Sequence, residues 1–290
     1  MTNILVTGSN GQLGSELRKF FQVSSEYTWF FTDVDQLDIT DRSVVNNYFK
    51  ENSINVCVNC AAYTAVDKAE DEPEKAKLLN AFAVGLLADA CYTSDALLIH
   101  ISTDYVFNGR HYKPYDEDDQ PDPVSAYGRS KADGEKVLFQ HKARSVIIRT
   151  SWLYSSVGNN FVKTMLRLGR ERSEIKVVSD QIGTPTWAAD LAEAIVFFIH
   201  NHHKQQSVKI YHYSNEGVIS WYDFAIAIMH IEGLQCKVIP IESKDYPVKT
   251  ERPFYSVLNK SRIKMDTGIT IPYWLESLKS CLRELKESTK

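Results

Sequence analysis

The stretch Ile4-Leu5-Val6-Thr7-Gly8-Ser9-Asn10-Gly11-Gln12-Leu13-Gly14 decides the fold. Ile4 to Thr7 reads as a short buried strand, Gln12 to Phe21 as an amphipathic helix, and the GxxGxxG run from Gly8 through Asn10 and Gly11 to Gly14 falls between them. A turn without side chains lets backbone N–H groups at a helix N-terminus approach a pyrophosphate, and its last glycine lets helix and strand pack closely. A dinucleotide is the ligand this arrangement implies.

Outward from that turn, short apolar runs alternate with helical patterns. Thr28 to Thr32, Val56 to Asn59 and Ala96 to Ser102 read as strands, and Asp41 to Glu51 and Pro73 to Thr93 as helices. Strands joined by crossover helices make an α/β fold, a doubly wound parallel sheet. Asp33 ends the second strand, where a carboxylate can bond a ribose 2′-hydroxyl and would repel a 2′-phosphate, which favours NAD. Asp38 and Ile39 follow in a loop that could close over an adenine. No arginine stands obviously against a 2′-phosphate, so NADH and NADPH both stay open.

Between His111 and Ser125 the acidic run Asp116 to Asp119 and three prolines predict a solvated loop. Tyr127 to Gln140 reads as a helix and Ser145 to Arg149 as a further strand. Beyond it the pattern is irregular through Gly183. Trp187 to His200 reads as a helix, Val208 to Tyr213 as a strand, and Ser220 as the N-cap of a helix to His230. The rest has few strand signals and is expected to form a small lobe. This divides the chain into a Rossmann-type dinucleotide domain, 1–153 with 187–213, and a smaller C-terminal substrate lobe, 154–186 with 214–290.

Tyr127-Gly128-Arg129-Ser130-Lys131 is a YxxxK unit, and at i, i+4 both side chains leave one helix face. A free phenol, with a pKa near 10, is too weak an acid for neutral pH. A nearby ammonium and an oxidised nicotinamide both favour phenolate, so Tyr127 should be tuned towards the working pH and give a proton to a carbonyl oxygen. Lys131 would also hold the nicotinamide ribose. Thr103 sits at the carboxyl end of the fourth strand, where open α/β sheets place ligands, and should bond the same carbonyl. Ser102, one position earlier, should point the other way.

The chain has 290 residues, 43% hydrophobic and 24% charged, which is ordinary globular usage and excludes a disordered or fibrous class. Its formal net charge of −4 supplies no global positive field for a nucleic-acid backbone. No segment reads as a signal peptide or membrane span, so no membrane partner and a cytoplasmic location are expected. Five cysteines, an odd number, fit a reducing compartment. Cys57 and Cys60, three apart on a strand, should face opposite sides and share no metal. His200, His202 and His203 read as a surface cluster rather than a zinc site, and no carboxylate spacing demands a metal.

GxxGxxG after the first strand, Ser-Thr at the end of the fourth and YxxxK in the next helix resemble the extended short-chain dehydrogenase/reductase superfamily. Asn59 to Glu70, Ser102 to Phe107, Arg149 to Tyr154, Gly158 to Phe161, Ser179 to Thr186 and Arg252-Pro253 with Ser256-Val257-Leu258 are similar to segments of its dTDP-4-dehydrorhamnose reductase family. The resemblance implies an oxidoreductase reducing the 4-keto group of a nucleotide-sugar, on the path to surface polysaccharide. Carried over residue by residue, it makes Thr103, Tyr127 and Lys131 the catalytic trio. It places Gly8, Gly11, Gln12, Leu13, Asp38, Ile39, Ala61, Ala62 and Tyr63 on the cofactor, and Val66, Asp67, Asp104, Tyr105 and Trp152 on the substrate. Cys60 stands where the family often has alanine. Some members dimerise through magnesium, so a homodimer is compatible, though the spacing here does not support the metal.

Three readings compete. A dehydratase would need a second carboxylate after the Thr-Asp pair, and Tyr105 stands there instead. An epimerase on the same fold would retain its NAD. A non-catalytic subunit resembling the regulatory one of methionine adenosyltransferase would bind cofactor without turnover.

Overall fold

The computed structural model describes residues 2–21, 26–141, 143–247 and 249–287. The chain runs β1 (Thr2–Thr7), α1 (Gln12–Phe21), β2 (Tyr27–Phe31), α2 (Arg42–Glu51), β3 (Val56–Asn59) and a short α3 (Val66–Ala69). A long helical stretch follows, composed of α4 (Pro73–Lys77), a π-helical turn (Leu78–Phe82) and α5 (Ala83–Thr93). Then come β4 (Leu97–Thr103), α6 (Ala126–Gln140), β5 (Ser145–Thr150), β6 (Leu153–Tyr154), α7 (Phe161–Glu171), β7 (Glu174–Val178), β8 (Ile182–Gly183) and β9 (Thr186–Trp187). The last third holds α8 (Ala188–His200), β10 (Val208–His212), β11 (Ile219–Ser220), α9 (Trp221–Glu232), β12 (Lys237–Ile241), α10 (Ser261–Thr267) and α11 (Trp274–Glu287).

Six strands form one parallel sheet in the order β10-β5-β4-β3-β1-β2. Side chains alternate between its faces. Val6, Val58, Ile99 and Ile148 pack with Leu17 of α1 and Leu191 of α8, while Leu5, Cys57, Leu98 and Ile147 pack with Phe49 of α2 and Leu87 of α5. Crossover helices cover both faces, which is why these strands read as continuous apolar runs. Each fully buried Leu, Ile or Val contributes about 1.5–3 kcal/mol. Cys57 and Cys60 lie on opposite sides of the sheet, as strand alternation predicts. From β1 the chain goes to one neighbour, β2, and returns to the other, β3, so a crevice opens above the ends of β1 and β3.

A third core gathers Val162 and Leu166 of α7, Ile175 of β7, Phe224 and Ile228 of α9, and Leu278 of α11. This corrects two expectations. The stretch between Arg149 and Gly183, expected to be irregular, contains α7, capped by Asn160 whose side chain accepts from the Lys163 N–H, and β7. Strand β12, in the region expected to be poor in strands, pairs in parallel with β7. Ser220 caps α9 through a capping box with Asp223, and the helix runs two residues past His230 to Glu232.

The acidic run is a loop as expected, with Asp118 exposed, but one of its residues departs from the expectation of a solvated face. Glu117 is only 5% exposed, accepting from the His212 N–H at 3.1 Å with Arg262 at 3.7 Å, because the buried Arg149 lies behind it and bonds its carbonyl oxygen. Among the described residues no helix is long and apolar enough to cross a membrane.

Candidate active site

The switch-point crevice is the mouth of a cavity of about 850 Å3. Gly8, Gly11, Gln12, Leu13 and Gly14 line one end. Gly8 has φ +62°, and a Cβ there would lie 2.6 Å from the Ala61 nitrogen, so the cradle exists only because the side chain is absent. A Cβ on Gly14 would meet Ser9 Cα at 2.5 Å, which is the close packing of α1 onto the turn. The Ser15 N–H bonds the Gly11 carbonyl at 3.0 Å, so the amides of Gln12 and Leu13 precede the helical ladder, as an anion site requires. These residues fit a dinucleotide pyrophosphate.

Asn10 does not line the cavity; its N–H is given to Asp33 Oδ2 at 3.2 Å, and Asp33 Oδ1 accepts from the Val34 N–H at 2.9 Å. The Asp33 carboxylate, which lines the cavity, therefore also ties the glycine turn to β2, and its charge is partly spent on backbone amides. Asp38 and Ile39 line the same end with Val34 and Leu37. Hydrogen bonds from Thr40, 2.6 Å from its hydroxyl and 2.9 Å from its N–H, hold the Asp38 carboxyl below the usual range. Ala61 and Ala62 line the cavity but Tyr63 does not, because its phenol donates to Glu72 at 2.8 Å.

At the opposite end α6 begins where Ser125 accepts the Gly128 N–H at 3.0 Å. That start presents Tyr127 and Lys131 to the cavity one turn apart, 9% and 2% exposed. A Cβ on Gly128 would lie 2.2 Å from the Tyr105 carbonyl oxygen, so the helix sits directly on the segment after β4. Thr103 lines the cavity, donating to Asp104 Oδ1 at 2.9 Å and accepting from the Tyr105 N–H at 3.2 Å. Ser102 also lines the cavity, but its hydroxyl is given to Glu135 of α6 at 2.5 Å.

The electrostatics correct the expected tuning of Tyr127. Burial pushes its phenol above the usual range, a hydrogen bond with Thr103 offsets part of this, and the Asp104 charge adds to it. Lys131 does not act on it directly; its Nζ donates to the Ile101 carbonyl at 2.5 Å and faces His100 Nε2 at 3.3 Å. Burial lowers Lys131 to about 8 and raises Asp104 to about 7. The phenol rests protonated, which is the form a proton donor needs.

The π-helical turn has a task here. Asn80, within it, accepts the Tyr63 N–H at 2.9 Å and donates to the Tyr63 carbonyl at 3.0 Å and to Ser130 Oγ at 2.9 Å. Ser130 stands between Tyr127 and Lys131, so one side chain ties the loop after β3 to α6.

On the remaining wall lie Val66, Asp104, Tyr105 and Trp152. Trp152 has φ +47° and stacks on Trp221 at 3.7 Å, an arrangement that holds a strained backbone in place. Asp67 stays outside the lining and pairs with Arg252 at 2.6 Å. Gly158 and Asn159 also line the cavity and had no role assigned from sequence. Their loop is latched to α1 by Asn160 to Gln12 at 2.9 Å and Ser155 to Glu16 at 2.6 Å, contacts between distant segments that carry no local signal. Among the described residues no group of three His, Cys, Asp or Glu is placed to hold a metal ion.

The sequence model described as RmlD substrate binding domain matches residues 1–287. The spore coat polysaccharide biosynthesis protein SpsK of Bacillus subtilis is 42% identical over 98% of this chain and 98% of its own. A dTDP-4-dehydrorhamnose reductase of Aggregatibacter actinomycetemcomitans is 40% identical over 97% of this chain and 98% of its own. A crystal structure of dTDP-4-dehydrorhamnose reductase from Bacillus anthracis in complex with NADP superposes with a TM-score of 0.93, at 39% identity over 98% of this chain and 100% of that one.

Proposed function

The chain belongs to the RmlD substrate binding domain family, and from that membership we propose that it is an NADPH-dependent oxidoreductase reducing the 4-keto group of dTDP-4-dehydro-L-rhamnose to give dTDP-L-rhamnose. The observation that carries the reading is the buried Tyr127 phenol, hydrogen-bonded to Thr103 within the cavity that the glycine turn opens. NADPH, when bound, supplies a hydride to the carbonyl carbon.

Thr103 and Tyr127 bring two hydroxyls to one place, so a carbonyl oxygen there meets a positioned pair of donors. Tyr127 holds its proton at Oη until negative charge grows on that oxygen, then gives it up, and the O–H bond of the product alcohol forms. The Lys131 ammonium offers its remaining hydrogen towards the cavity, where ribose hydroxyls would be held. Solvent returns a proton to Tyr127 before the next turnover. At the far end the Gln12 and Leu13 amides would hold the pyrophosphate, and Asp38 and Ile39 the adenosine. Tyr105 and Trp152 offer aromatic walls to the nucleotide-sugar.

The division of labour is not a clean division of cores, since Ile263 and Ile271 pack with the sheet and Leu258 with Val106 and Phe107. Residues 1–153 with 187–213 would serve the cofactor, and 154–186 with 214–290 the substrate. A cytoplasmic location fits a reaction between two soluble nucleotides, and the likeness to a polysaccharide biosynthesis protein supports a role in supplying surface glycans. The test is an assay of purified protein with dTDP-4-dehydro-L-rhamnose and, in parallel, NADPH or NADH. The expected result is loss of reduced-nicotinamide absorbance matched by dTDP-L-rhamnose formation. No oxidation of either nicotinamide would overturn the reading.

A further inference from the structure

A row of polar side chains crosses the carboxyl end of the sheet and stops at Lys131. Thr7 pairs in register with Asn59, and Asn59 with His100, so the three sit level on adjacent strands. The contacts run from Thr7 Oγ1 to Asn59 Oδ1 at 2.7 Å, Asn59 Nδ2 to His100 Nδ1 at 3.1 Å, and His100 Nε2 to Lys131 Nζ at 3.3 Å. None of the four residues is more than 2% exposed. Polar groups this deeply buried are retained only where each finds a partner.

An ammonium has three hydrogens to place. The Ile101 carbonyl takes one at 2.5 Å. The other ionisable groups around Lys131 cannot take the second. Glu135, one turn along α6, is engaged by Arg149 at 2.7 Å and by Ser102 at 2.5 Å. Tyr127, one turn back, is bonded to Thr103, and burial keeps the Cys60 thiol protonated. The π-helical turn packed on α6 offers uncharged Asn80, and Asp104 faces Tyr127. His100 remains, and burial together with the charge of Lys131 keeps its imidazole neutral.

We infer that His100 is a positioning residue for Lys131, a neutral imidazole accepting through Nε2 that, with the Ile101 carbonyl, fixes two ammonium hydrogens and aims the third into the cavity. An accepting Nε2 demands a protonated Nδ1. As oriented here, Asn59 turns Nδ2 towards that nitrogen; a half-turn of its amide keeps both contacts and presents Oδ1 to it instead. The inference rests on the proposed role of Lys131 only for its consequence in turnover, so its test is made on the protein without cofactor or substrate.

Nitrogen-15 NMR of the wild-type imidazoles at neutral pH is expected to find His100 neutral, with Nδ1 protonated and Nε2 bare. The Nε2-protonated tautomer or an imidazolium would overturn the inference, and this measurement needs no variant to fold. The Lys131 ionisation, followed by its carbon-13 ε signal, is then compared in wild type, His100→Leu and His100→Gln. Losing a hydrogen bond to a buried charge should lower the midpoint in His100→Leu by about one pH unit or more. The Gln carbonyl should restore it. A shared midpoint in all three proteins, even with lowered Tm, would mean that His100 only fills space. Absence of turnover in the reductase assay would leave both measurements unaffected.

Discussion

At the proposed catalytic end Thr103, Tyr127 and Lys131 are between 2% and 9% exposed; Thr103 is held by the next residue, Asp104, and Tyr127 and Lys131 of α6 by residues of β4. At the substrate rim the Asp67–Arg252 pair joins residues 185 apart in sequence, with side chains 47% and 19% exposed. A pair so open to water contributes less than about 1 kcal/mol, while a broken buried bond costs its full desolvation penalty. The catalytic end is thus built for fixed geometry and the rim for adjustment. Damage to the first should appear in kcat and cofactor affinity, and damage to the second in KM.

Four changes test that contrast. The largest effect is expected from Tyr127→Phe, which should lower kcat by at least about a hundredfold with the NADPH Kd unchanged; turnover close to wild type would break the comparison at its centre. Next is Gly8→Ala, whose Cβ would press on the Ala61 nitrogen at 2.6 Å from a backbone at φ +62°. Strain of about 1–3 kcal/mol should weaken NADPH binding about tenfold or more in a fluorescence titration. An unaltered Kd would show that the turn does not carry the cofactor. Trp152→Ala, which removes the stack on Trp221, should raise KM for the nucleotide-sugar by several-fold to about tenfold with kcat little changed. A defect confined to NADPH binding would move Trp152 to the other side of the comparison. Smallest is Ser220→Ala, outside the cavity lining, which should cost about 1 kcal/mol of stability through the lost N-cap. Thermal denaturation should register it while kcat and KM stay put.

The same contrast separates what could be read in the sequence from what could not. The glycine turn and the shared face of Tyr127 and Lys131 follow from strand and helix periods over a few residues. The helix α7 was equally local, with Val162, Met165 and Leu166 at helical spacing behind Asn160, and its omission reflects a stripe too short to stand out between irregular neighbours. Other features depend on distant partners. Glu117 is inside because of Arg149 and His212. Helical spacing puts an ammonium near a phenol but says nothing of the burial that raises Tyr127, nor of the Ile101 carbonyl and His100 that engage Lys131. The reach of the Gly158–Asn159 loop onto α1 belongs to the same class.

The π-helical turn carries a cost that the rest of the helix would gladly shed. Removing one residue between Leu78 and Phe82 would let the ladder close in the ordinary way and displace the side chains within the turn itself. Asn80 could then no longer reach both Tyr63 and Ser130. Such a shortened protein should melt earlier, because the buried Asn80 side chain loses partners, and also turn over slowly, so calorimetry and kinetics on one sample would show a single helical turn serving stability and chemistry together.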